Sequence, residues 1–222
     1  MGEKIIFKRP DGKESSGYYS VPDAGEEAPG VVVIQEWWGL NDQIRGVADR
    51  LSMAGYRVLV PDLYRGKVTL EVAEAEHLMS NLDFADAANQ DIRGAIQYLK
   101  GSSPKVAVLG FCMGGALSIL TAVHVKEVDV AVCWYGIPPE EAADTSTIEI
   151  PIQGHFAQED EHFTPDQVDA LESRLKVGKV NYEFYRYQAK HAFGNETGDN
   201  HDPEATKLAW QRTLEFLEKR IK

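Results

Sequence analysis

The strongest constraint on the fold is a set of six short, mostly apolar or aromatic runs, at residues 31–34, 58–60, 106–109, 128–135, 148–152 and 182–187. A strand covered by helices on both faces has no solvent side. It therefore reads as a continuous run, as in Val31, Val32, Val33 and Ile34, and not as an alternation. Several of these runs stop at Pro61, Gly110, Gly136 or Gly154, residues that end or turn a strand. Between them, residues 42–54, 70–82, 84–99, 114–123, 165–175 and 203–221 carry apolar side chains at helical spacing. Strands alternating with helices predict an α/β fold: a mostly parallel central sheet with helices on both faces. Residues 4–8 and 15–21, separated by Pro10-Asp11-Gly12, predict an antiparallel hairpin at the N-terminus.

No internal repeat, low-complexity tract or linker divides the 222 residues, so the expectation is a single domain over residues 1–222. With 23 Lys plus Arg against 35 Asp plus Glu, the net charge of −12 offers no basic stripe for a phosphate backbone, and nucleic acid is not an expected partner. The N-terminal segment lacks the apolar core of a signal peptide, and no window approaches 18 apolar residues. The chain is expected to be soluble and cytoplasmic, with no membrane partner, as a monomer or weak homodimer. Cys112 and Cys133 lack the paired spacing of a zinc site or a disulfide framework, so no metal is expected.

In open α/β sheets the working groups gather beyond the carboxyl ends of the strands. The segment Gly110-Phe111-Cys112-Met113-Gly114-Gly115 follows one such strand and opens a helix, the pattern of a nucleophile elbow with cysteine at its centre. Glycines two before and two after the nucleophile permit the sharp turn. The helix N-terminus favours negative charge, and the Met113 N–H is placed to receive an oxyanion. The same residues also fit a glycine-rich turn in which Cys112 is a small buried hydrophobe.

Gln35-Glu36-Trp37-Trp38-Gly39 follows another strand. It puts a carboxylate between aromatic walls that would raise its pKa, and it puts the Trp37 N–H where a second oxyanion donor is expected. The acidic pair Asp160 and Glu161 follows the penultimate strand, and His191 follows the last. Nucleophile, acid, then histidine is the chain order of α/β-hydrolases. Adjacency leaves Glu161 as an alternative to Asp160. His124, His155, His162 and His201 are expected to be structural or surface residues, and Cys133 an inert core thiol.

At these motifs, together with Pro61-Asp62-Leu63-Tyr64, His155-Phe156-Ala157 and His191-Ala192-Phe193, the chain resembles the dienelactone hydrolase (carboxymethylenebutenolidase) family over roughly residues 4–220. The resemblance implies an α/β-hydrolase fold and a cysteine hydrolase that cleaves a small lactone or ester through a thioester. Cys112 would be the nucleophile, His191 the proton shuttle, Asp160 its orienting acid and Glu36 a fourth member that governs the thiol. No cofactor is implied. Trp38, Tyr64, His77 and Phe193 are candidate substrate-binding residues.

Two departures bear on the substrate. Arginines that meet a substrate carboxylate in the family are missing: Asn195 stands four residues after His191, and no Lys or Arg lies between Lys67 and Arg93. Glu71, Glu74 and Glu76 occupy that interval, and Arg65 or His77 is left as the possible carboxylate partner. The alternative to an enzyme is a hydrolase-like redox sensor with a reactive Cys112.

Overall fold

The computed structural model describes residues 2–222. Its strands are β1 (Glu3–Lys8), β2 (Glu14–Ser20), β3 (Gly30–Ile34), β4 (Arg57–Pro61), β5 (Val106–Phe111), β6 (Val130–Trp134), β7 (Ile152–Glu159) and β8 (Tyr182–Lys190). All eight join one sheet in the order β1-β2-β4-β3-β5-β6-β7-β8. The β1–β2 hairpin is antiparallel and enters the sheet antiparallel to β4. Every later pairing is parallel. This is the mostly parallel α/β sheet expected from the strand–helix alternation, hairpin included, and the α/β-hydrolase fold that the resemblance implied.

The helices are α1 (Asp42–Met53), α2 (Val72–Ser80), a single turn α3 (Phe84–Asp86), α4 (Arg93–Lys100), α5 (Met113–His124), α6 (Pro165–Val177) and α7 (Pro203–Ile221). Alternate residues of each central strand supply two separate cores. Val31, Val33, Ala107 and Leu109 meet Val47 and Leu51 of α1 and Phe216 and Leu217 of α7. Val32, Ile34, Val106 and Val108 face Ile96 and Leu99 of α4 and Leu117 of α5. A strand sandwiched this way has no polar face, and that is why its sequence does not alternate. No helix among the described residues is long and apolar enough to cross a membrane.

Two expectations are corrected. The helix expected over residues 84–99 is divided, with the π-helical segment Ala87–Ile92 between α3 and α4. The wider winding carries Asp91, 1% exposed, into the protein, where Ser15 Oγ (2.8 Å) and Arg65 Nη2 (2.8 Å) donate to it. Residues 148–151 were expected in a strand but form a loop after a 3₁₀ turn, and β7 starts only at Ile152. Pro151 has no N–H to give a ladder, and Ile148 fills the core without joining the sheet. A register shift between β7 and β8 at Ala157 and Glu159 falls just before Asp160 and lets the chain leave the sheet there.

Candidate active site

Cys112 sits between β5 and α5 with φ 53° and ψ −116°, a backbone conformation that is costly for a residue with a side chain. The residues two before and two after it cannot be larger than glycine. A β-carbon on Gly110 would collide with the Gly114 carbonyl, and one on Gly114 with the carbonyl of Ile34. The strained turn thus lifts the thiol over the edge of the sheet, at the first turn of α5.

His191, immediately after β8, reaches both Cys112 and Asp160. Its Nε2 lies 3.2 Å from the Cys112 Sγ, and its Nδ1 lies 2.8 Å from Asp160 Oδ2. When Nδ1 donates to the carboxylate, Nε2 is free to accept the thiol proton. Asp160 is 4% exposed, and its other oxygen accepts the backbone N–H groups of His162 (2.8 Å) and Phe163 (2.9 Å). Burial opposes its charge. The hydrogen bond and charge of His191 and the two amides outweigh that and hold its carboxyl below the usual range. Glu161, the alternative acid, is exposed, and the His191 ring is bonded to Asp160 instead.

Glu36 is 3% exposed and has two neutral partners: Tyr135 donates its hydroxyl to Oε1 at 3.2 Å, and Asn195 donates Nδ2 to Oε2 at 2.6 Å. Burial pushes the Glu36 carboxyl up, against the two hydrogen bonds and the charge of His191. Burial also pushes the Cys112 thiol well up. The charges of Glu36 and Asp160 add to the effect, and the Met113 amide opposes it. A neutral thiol at rest is the consequence. Asn195, at the position where the family resemblance placed an arginine, is engaged at both ends of its amide, because its Oδ1 also accepts from the N–H (3.0 Å) and hydroxyl (2.8 Å) of Thr197.

A cavity of about 670 Å³ opens over Cys112. Trp37 and Trp38 form one wall, with ring centroids 5.0 Å apart, and Met113 lies at its base. Three candidate substrate-binding residues stand elsewhere. His77 is exposed on α2 beside Asn81. Phe193 is 0% exposed and is packed among Trp134, Tyr135 and Tyr187, because the chain turns inward directly after His191. Tyr64 is buried and does not line the cavity, its hydroxyl 3.3 Å from the Met113 sulfur. Arg65 does not supply a carboxylate partner either, because it is bonded to Asp91 and Ser15.

Two residues of the site escaped the sequence reading. Tyr135, with φ 39°, directly follows β6 and reaches Glu36; its place just before Gly136, at a strand end, was the available signal. His162 is exposed, as expected of a surface residue, and it also lines the cavity, with its ring 4.9 Å from that of His191. It is carried there because its amide is pinned to Asp160. His155 is structural. It is bonded to Tyr187 and Gln153, and burial, helped by the charge of Arg212, pushes it down to about 3. Cys133 is buried and donates to the Gly136 carbonyl. The described residues contain no group of His, Cys, Asp and Glu fit to hold a metal.

The sequence model of the dienelactone hydrolase family matches residues 16–221. The chain belongs to that family. Dienelactone hydrolases are carboxylic-ester hydrolases, and this one acts on an ester or lactone. It is 31% identical to protein usf of Aquifex pyrophilus, over 98% of each chain. It is also 30% identical to carboxymethylenebutenolidase 1 of Cupriavidus pinatubonensis, over 90% of each. Among solved structures, a dienelactone hydrolase-like promiscuous phosphotriesterase from metagenomic libraries superposes with a TM-score of 0.84. It covers 100% of this chain and 99% of that one at 21% identity, a likeness of fold.

Proposed function

We propose that this dienelactone hydrolase works through Cys112 as a nucleophile and a thioester acyl-enzyme. The observation that carries the reading is the position of the His191 ring, 3.2 Å from the thiol and 2.8 Å from Asp160. The resting thiol is neutral, so the nucleophile forms only when His191 Nε2 takes its proton as a carbonyl approaches. Sulfur then attacks the carbonyl carbon, and the oxyanion is received by the Met113 and Trp37 N–H groups at the ends of β5 and β3. Collapse breaks the ester C–O bond, and the leaving alkoxide takes the proton held on Nε2. In a lactone that hydroxyl stays attached to the acyl chain.

Water next gives a proton to His191, attacks the thioester carbon, and releases the acid as sulfur recovers the proton. Asp160 holds the ring in register throughout, and Glu36 sets the resting charge of the thiol. A redox sensor would need a thiol of lowered pKa, whereas burial and two carboxylates push Cys112 the other way. The test is to mix enzyme with a p-nitrophenyl ester, quench in acid and weigh the protein. The reading expects a mass gain equal to the acyl group, on Cys112, removable by hydroxylamine and absent in Cys112→Ala. An acyl group on any other residue overturns it.

A further inference from the structure

The lining of the cavity over Cys112 divides by chemistry into an apolar arm and a polar arm. One runs along α5: Ala116 and Leu120 stand one and two turns beyond the nucleophile on the same face, roughly 6 and 12 Å along the helix axis. Ile137, Met79 and Phe84, of the same apolar cluster as Leu120, and Pro139 complete the apolar lining. The other arm is polar and lies against His191. The segment of Gly198, Asp199 and Asn200 forms it, fastened by the bond from Asn200 Nδ2 to the His191 carbonyl at 3.1 Å. Neither Lys nor Arg lines either arm among the described residues. The ionisable acids there are Glu36 and Asp199.

The chemistry of the acyl transfer orients a substrate in this space. Of the four groups on the tetrahedral carbon, sulfur is fixed on Cys112 and the oxyanion faces the Met113 and Trp37 amides. The leaving oxygen must face His191 Nε2 to receive its proton, which puts the leaving group in the polar arm. The direction that remains is the arm along α5. We propose that this enzyme selects esters or lactones whose acyl chain is uncharged and apolar and lies along α5, and that it discriminates against a carboxylate on that chain. A carboxylate there would be desolvated with no cation to meet it, since Arg65 is held by Asp91. The inference rests on the thioester reading above.

The experiment is the hydrolysis of p-nitrophenyl esters from acetate to octanoate by the intact enzyme, with the monoester of octanedioic acid as the charged counterpart. The expected kcat/KM rises by about tenfold or more along the series, and falls by about tenfold or more when the chain end carries the carboxylate. Leu120→Trp, which fills the far end of the arm, lowers the octanoate-to-acetate ratio. Ala142→Phe does the same at an exposed rim position where a larger side chain leaves the core untouched. A profile that is flat or falls with chain length, or a preference for the charged ester, overturns the proposal. Turnover retained in Cys112→Ala overturns instead the thioester reading, and with it the orientation of the acyl chain.

Discussion

Asn195 donates its side-chain amide to Glu36 at 2.6 Å, so a neutral group occupies the position from which an arginine would have charged the cavity. The consequence is local as well as catalytic. Asn195→Ala leaves one oxygen of a buried carboxyl without its donor, at a cost of about 1–3 kcal/mol in stability. Urea denaturation at neutral pH measures it. A midpoint unchanged from wild type would mean that water or another donor replaces the amide.

Glu36 makes a pH-dependent contribution to stability whose sign is unusual for an acid. Its folded pKa lies above its unfolded value, so between the two the folded state binds more protons. The stability it contributes is present below the unfolded pKa, near 4.5, and is lost as pH rises through the folded value. Glu36→Gln cannot lose it. The melting temperature of Glu36→Gln relative to wild type is expected to climb between pH 4.5 and 8, and a difference that is constant with pH would contradict the raised pKa.

Asp160 behaves in the opposite sense. Its folded pKa is below its unfolded one, so its contribution is present above about 3.8 and is lost as pH falls through the folded value. Asp160→Asn therefore flattens the acid limb of the stability profile. The same change should cut kcat roughly 10⁴-fold, as loss of the orienting acid does in comparable triads. Steady-state kinetics at pH 7, alongside an acid denaturation series, checks both.

The thiol should be slow to alkylate in the free enzyme at neutral pH, because burial first, and then the charges of Glu36 and Asp160, oppose the thiolate. Iodoacetamide rates followed from pH 6 to 10 are expected to rise throughout, without a plateau. Glu36→Gln removes one of those charges and should raise the rate at each pH. A plateau beginning below pH 7 would reveal a standing thiolate–imidazolium pair.

Cys112→Ser tests the same chemistry from the other side. Serine keeps the elbow but not the acidity of a thiol, and kcat/KM is expected to drop roughly 100-fold or more. Near wild-type turnover would remove the cysteine from the mechanism.

Much of this was legible along the chain because it depends on local backbone rules. Runs such as Val31 to Ile34 announce strands buried on both faces, and the glycines at 110 and 114 are dictated by contacts within one tight turn. The strand-end rule put Cys112, Glu36, Asp160 and His191 near one another without specifying a distance, and the structure brings Cys112, Glu36 and His191 to one cavity, with Asp160 bonded to His191 behind it. What the chain does not announce is side-chain direction. Phe193 and His162 both flank catalytic candidates in sequence. One points into the core and the other into the cavity, a difference that no spacing encodes.

The same division holds for the whole protein. The order of strands and helices, the strained turn at Cys112 and the shortage of basic residues around the site were determined by sequence alone, because backbone sterics, hydrophobic period and charge are properties of short segments. Tertiary structure decided the rest. It chose Asp160 over Glu161, coupled Glu36 to Tyr135 and Asn195, 99 and 159 residues away, and tied Arg65 to Asp91. Such pairings depend on which side chains meet in a low-dielectric interior, and hydrogen bonds and charges act through space there without regard to position in the chain.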